Sequence, residues 1–231
     1  MNSKPSKELF AFMQQRKKDE QQKKLQNYQY LNLYAQKHQV LFTGSSLMEQ
    51  SPISELCISL GLGKAVYNRG IGGYTTDDFL KAIHPMLLDL CPSKVFINIG
   101  SNDMREWENG EDWMKHLLAN YRTILTIARQ ELPLTAFYLM AYYPVNETFA
   151  SLSPYHASML KIRTNENVRH INRELARLAD SFGQTYIDVS QGLTDESGAL
   201  KKELTIDGIH MYSTAYRMIY QNLLPYICAE E

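Results

Sequence analysis

The 231-residue chain is poor in cysteine, proline and tryptophan, with three, eight and two respectively, and it contains no long apolar run. Cys57, Cys91 and Cys228 are odd in number, show no CxxC spacing and lie in apolar contexts. They suit reduced thiols rather than a disulfide framework or a zinc site. The opening MNSKPSKELF lacks the apolar centre of a signal peptide. The longest mostly apolar stretch, 134–145, is too short for a bilayer and is interrupted by Pro144. A soluble, cytoplasmic protein without stable membrane insertion is therefore expected. Charge of one sign is missing too. Lys and Arg (24) nearly balance Asp and Glu (25), and a net charge of −1 offers no broad cationic field for phosphate backbones, which argues against a nucleic-acid partner.

Hydrophobic residues make up 44% and charged ones 21%, close to the average for soluble globular chains, which excludes disordered, collagen-like and coiled-coil classes as global descriptions. The front of the chain is the one irregular region. Positions 14–24 (QQRKKDEQQKK) carry no apolar residue, after which Leu25, Tyr28, Leu31 and Ala35 recur at helical spacing. Residues 1–38 read as an exposed helical extension with a solvated first half, and residues 39–231 as one domain.

From residue 39 onward, short β-type runs end in Gly, Asn or Pro and each is followed by a segment of helical period. Strands are expected at 39–43, 65–67, 94–99, 134–141 and 184–188. Helices are expected at 52–60, 76–89, 111–130, 157–182 and 213–227. This alternation predicts an α/β fold, with a five-stranded parallel sheet between two helical layers. Ligands of such sheets bind at the carboxyl ends of the strands.

Four motifs fall at such ends. Gly44-Ser45-Ser46-Leu47 follows the first strand, where a serine hydroxyl and free helix-start N–H groups would meet. Arg69-Gly70-Ile71-Gly72-Gly73-Tyr74-Thr75-Thr76 follows the second. Its glycines allow close backbone approach, but Thr75 stands where GxGxxG needs glycine, which excludes a dinucleotide fingerprint. Gly100-Ser101-Asn102-Asp103 follows the third and offers a side-chain amide donor, with Asp103 holding the loop. Asp207-Gly208-Ile209-His210 precedes the last helix, and an Asp three residues before a His can orient the imidazole as a base. Each motif alone is ordinary turn or cap chemistry. Together they supply nucleophile, backbone donor, amide donor and oriented base, the parts of an acyl-transfer site.

In these four blocks, and over about 39–227, the sequence resembles the SGNH hydrolases, also called GDSL-type esterases and lipases. The RGIGG and GSND forms look most like the branch similar to platelet-activating-factor acetylhydrolase and related bacterial acylesterases. The resemblance implies a flavodoxin-like three-layer fold. It also implies a serine esterase cleaving a short-chain or acetyl ester, with Ser46, Asp207 and His210 as triad and Ser46, Gly73 and Asn102 as oxyanion hole. The family's usual Asp in the first block is replaced here by Ser45. Substrate contacts are expected from Tyr74, Met104, Trp107, Tyr142, Tyr143 and Ile209, and the segment from Tyr142 to Tyr155 is expected to border or cover the site. The remaining histidines, His38, His84, His116, His156 and His170, have no acid in a matching motif and no HxxxH pair, and read as surface or helix-end residues. No metal or organic cofactor is implied, and oligomeric state is left open. An acyltransferase using the same acyl-enzyme, and a non-catalytic binding relative, are the alternatives.

Overall fold

The computed structural model describes residues 7–107, 110–149 and 154–229. Its centre is a five-stranded parallel sheet of order β2-β1-β3-β4-β5. The strands are β1 (Val40–Gly44), β2 (Val66–Gly70), β3 (Lys94–Asn98), β4 (Ala136–Met140) and β5 (Thr185–Ile187). β1 and β3 are buried at every residue, as their near-continuous apolar sequences VLFTG and KVFIN require of strands covered on both faces. In register across the sheet, Phe42, Phe96 and Tyr138 stack with ring centroids 4.6 and 4.7 Å apart.

Nine helices cover the sheet among the described residues: α1 (Lys7–Asn32), α2 (Ser46–Glu49), α3 (Ile53–Ser59), α4 (Thr76–Lys81), α5 (Ile83–Met86), α6 (Trp113–Glu131), α7 (Pro154–Met159), α8 (Asn165–Ser181) and α9 (Ser213–Cys228). One face carries a core shared with α4, α5, α6 and α8, and the other a core shared with α2, α3 and α9. No helix is long and apolar enough to cross a membrane among the described residues.

Two expected helices are interrupted. The 76–89 segment breaks at Ala82 and again at Leu87, whose backbone (φ −146°, ψ −65°) is not helical. The 157–182 segment divides because Thr164 adopts an extended backbone and its hydroxyl accepts the Asn167 N–H, starting α8 afresh. The extension also departs from a simply exposed helix. Residues 14–20 of α1 are exposed, but Gln21, Lys24, Leu25 and Tyr28 are half-buried, and Asn32 is buried with its amide on the Pro85 carbonyl. Leu25, Tyr28 and Ala35 pack on the first core.

The strand order reverses direction at β1 and β3, the topological switch point where an open α/β sheet forms its crevice. There Gly44 pairs with both Gly70 and Asn98, so the turns after β1, β2 and β3 start side by side.

Candidate active site

Ser46 opens α2 one residue after the buried Ser45, whose N–H bonds the Asn98 carbonyl at 3.2 Å. As the first residue of the helix, Ser46 has a backbone N–H with no intrahelical acceptor. Its hydroxyl lies 2.9 Å from Nε2 of His210, which arrives from the loop before α9. On the other side of the ring, His210 Nδ1 lies 2.7 Å from Asp207 Oδ2. Asp207 Oδ1 accepts the N–H groups of Ile209 (3.0 Å) and His210 (2.8 Å), so the DGIH turn locks its own carboxylate. Burial alone would raise the Asp207 pKa. The bonds from the His210 side chain and from the two backbone N–H groups outweigh it and hold the carboxyl far below the usual range, so it stays ionised beside the imidazole. The loop after β4 braces this turn through the Asn146 N–H on the Gly208 carbonyl (2.8 Å).

The glycine loop after β2 lies against the serine. A Cβ placed on Gly72 would stand 3.6 Å from Ser46 Cβ. Gly73 takes φ +78°, a conformation glycine adopts without strain, and its N–H has no partner among the described residues. The Asn102 amide donates to the Tyr74 carbonyl at 2.9 Å, while its oxygen faces the buried Arg163 at 3.4 Å, so the side chain is held from both ends and one amide hydrogen remains.

A match to the GDSL-like lipase/acylhydrolase family model covers residues 54–218, which includes Gly73, Asn102, Asp207 and His210. The chain belongs to the GDSL-like lipase/acylhydrolase family. It is a carboxylic ester hydrolase. The model match begins after Ser46, so the place of that serine beside His210 comes from the geometry. Among solved structures, a Streptococcus pneumoniae protein described as a platelet activating factor is 30% identical, with 96% of this chain and 100% of that chain covered and a TM-score of 0.84. The uncovered 4% is about nine residues, fewer than the 26 of α1, so the likeness takes in most of that helix. An acylhydrolase from Bacteroides fragilis is 22% identical, covering 87% of this chain and 94% of that one (TM-score 0.71). An acetylxylan esterase from Geobacillus stearothermophilus is 18% identical, covering 85% and 96% (TM-score 0.61). Both show the shared fold. No curated protein matches the chain.

For this family member the expected substrate contacts divide into three groups. Met104, Tyr142, Tyr143 and Ile209 line, with Leu47 and Ser101, a narrow crevice of about 10 Å³ between the Ser46 and His210 turns. Tyr74 instead borders a groove of about 410 Å³ between α1 and the turn after Gly73. Trp107 packs at a tilt against His116 with ring centroids 4.5 Å apart, under the Arg105 guanidinium at 4.6 Å, and its Nε1 donates to the Asp103 carbonyl. The Tyr142 hydroxyl donates to the Ile99 carbonyl at 2.5 Å, which fixes it as a wall rather than a donor to ligand. Of the segment expected to border the site, residues 142–145 line the narrow crevice and Asn146 reaches the DGIH turn, while residues 150–153 lie outside the described residues.

The Ser45 hydroxyl, where the family usually has Asp, is fully buried with no hydrogen-bond partner among the described residues. Asp103 is structural as expected. It is fully buried and accepts the Thr76 N–H (3.0 Å) and hydroxyl, tying the Asn102 loop to the start of α4. Burial pushes its carboxyl up to about 6, against the Thr76 bonds that lower it. Since this folded-state value exceeds the unfolded ~3.9, the native state binds the proton more tightly. Stability from this group therefore rises as pH falls from 6 toward 4 and is lost as pH rises through 6. Thermal melts of wild type and Asp103→Asn should show the wild type gaining on the variant between pH 7 and pH 5.

His156 is the residue the sequence reading misplaces. It is a helix residue, but its Nε2 lies 3.2 Å from Asp207 Oδ2 and its ring meets His210 edge to face at 6.0 Å. Donor atoms of His156, Asp207 and His210 all lie within 4.8 Å of one another, a spacing of metal-ligand type that contacts among the three side chains already account for. No local motif joins positions 156 and 207, so only the fold of the β4–α8 connection brings them together.

Proposed function

We propose that the protein is a serine esterase for acetyl or other very short acyl esters, acting through a Ser46 acyl-enzyme. The reading rests on the unbroken chain from Ser46 Oγ through the His210 ring to Asp207, at 2.9 and 2.7 Å. In it, His210 Nε2 takes the Ser46 proton as the hydroxyl attacks the ester carbonyl, then delivers that proton to the leaving alcohol. Asp207 holds the Nδ1 tautomer and faces the imidazolium that forms. Water, deprotonated by the same nitrogen, releases the acid and restores the serine. Charge developing on the carbonyl oxygen is met by the N–H groups of Ser46 and Gly73 and by the Asn102 amide.

The choice of a short acyl group is supported by the crevice lined by Leu47 and Ile209, the chain neighbours of Ser46 and His210. Its volume of about 10 Å³, roughly one water-sized group, supports a small acyl group over a chain of several carbons. Its walls are buried and fixed, Met104 by packing and Tyr142 by its bond to Ile99. A series of p-nitrophenyl esters tests this: kcat/KM should be highest for acetate and fall steeply by the hexanoate, and a flat or rising series would refute it. Asn102→Ala should lower kcat about 10²–10³-fold with little change in KM, because one donor to the transition-state oxygen is lost. Steady-state kinetics on p-nitrophenyl acetate measures this directly.

A further inference from the structure

We propose that the N-terminal helix is part of the catalytic apparatus, with Gln21 as a positioning residue that aims the Gly73 N–H at the ester oxygen. The proposal rests on the reading of Gly73 as an oxyanion donor. Gln21, Lys24 and Tyr28 are three and four residues apart and share one face of α1. That face grips the glycine loop at three points. The Tyr28 hydroxyl donates to the Gly70 carbonyl at 2.7 Å, and the Gln21 amide donates to the Gly72 carbonyl at 2.7 Å. Lys24 pairs with Glu49, whose other oxygen accepts the Gly72 N–H.

The bond from Gln21 has a directional consequence. The carbonyl of Gly72 and the N–H of Gly73 belong to one planar peptide unit, which is trans and so points them in opposite directions. With the carbonyl turned onto α1, the Gly73 N–H is turned away from α1, and that N–H has no partner among the described residues. Gly72 itself lies against Ser46. A carbonyl that accepts a hydrogen bond also makes its own N–H a stronger donor. The outer side of Gly73 is closed by α1 as well, since Lys17 Cε occupies the space 2.6 Å from where a side chain would begin. Glycines without such an anchor could rotate the 72–73 peptide, because neither has a Cβ to restrict it.

Gln21→Ala and Gln21→Glu remove the donor, and the second places an acceptor against the Gly72 carbonyl. Deleting an oxyanion donor outright costs about 10²–10³-fold, so misaiming one is expected to lower kcat on p-nitrophenyl acetate about 10–100-fold, with KM within twofold. Gln21→Lys retains a donor at that position and is expected to recover most of the rate. Lys23→Ala, on the exposed side of the same helix, serves as the unaffected control. If Gln21→Ala keeps kcat within twofold while Ser46→Ala is inactive, the role of α1 is wrong and the serine reading stands. If Gln21→Ala and Gln21→Lys lose rate equally along with melting temperature, Gln21 is merely structural and the proposal fails. If Ser46→Ala retains full rate, the underlying reading fails first.

Discussion

Ser46→Ala is expected to lower kcat about 10⁶-fold, and His210→Ala by a similar factor. The geometry explains why the two losses match. The hydroxyl is a poor nucleophile unless Nε2, 2.9 Å away, accepts its proton, and the imidazole has nothing to activate once the hydroxyl is gone. The Ser46→Ala/His210→Ala double variant should therefore be no slower than either single variant, whereas independent contributions would multiply. Residual rate would come from donors that survive both changes, the Gly73 N–H and the Asn102 amide. Single-turnover kinetics with p-nitrophenyl acetate, paired with mass-spectrometric detection of a fluorophosphonate adduct, measures both halves. An adduct that persists in Ser46→Ala would place the nucleophile elsewhere.

Gly44→Ala is expected to abolish folding rather than catalysis alone. Gly44 ends β1 at φ +153°, where a side chain is rarely tolerated, and an added Cβ would overlap the Asn98 carbonyl of the neighbouring strand. That carbonyl cannot move aside, because it receives the Ser45 N–H and belongs to a strand buried at every residue. Backbone overlap at such a site ranks with the largest single-residue penalties, above about 4 kcal/mol, against a total stability of about 5–15 kcal/mol. Soluble yield and far-UV circular dichroism melts check this. A variant melting within a few degrees of wild type would show that β1 and β3 can separate at the switch point. The same contact explains why the serine turn is rigid: the residue before Ser45-Ser46 has no space in which to move.

Much of this site was legible in the sequence because its parts are local. Ser46, Gly73 and Asn102 each sit in a short motif after a strand, where a parallel sheet exposes backbone donors, and Asp207 and His210 share one turn before α9. Short β-type runs located all five strands to within a few residues, and the signal is strongest in β1 and β3, which are buried at every residue. The helices at 76–89 and 157–182 were harder. Their apolar spacing continues across the breaks at Ala82 and Thr164, so periodicity could not register a change of axis.

What the sequence by itself determined was the layered α/β architecture, the family resemblance and the identity of the candidate triad and oxyanion residues. Tertiary structure alone decided three things. It placed His156 on Asp207, across 51 positions with no shared motif. It closed the crevice lined by Leu47, Met104, Tyr142 and Ile209 to about 10 Å³, which depends on packing of the loop after β4, the Asn102 loop and the DGIH turn together. It also turned a stretch of α1 that reads as solvent-facing into a clamp on the glycine loop. That last contact was invisible because Gln21, Lys24 and Tyr28 hold backbone carbonyls and a carboxylate through polar groups. Hydrophobic periodicity records burial of apolar surface, whereas a hydrogen bond to a distant peptide leaves no period in the chain that makes it.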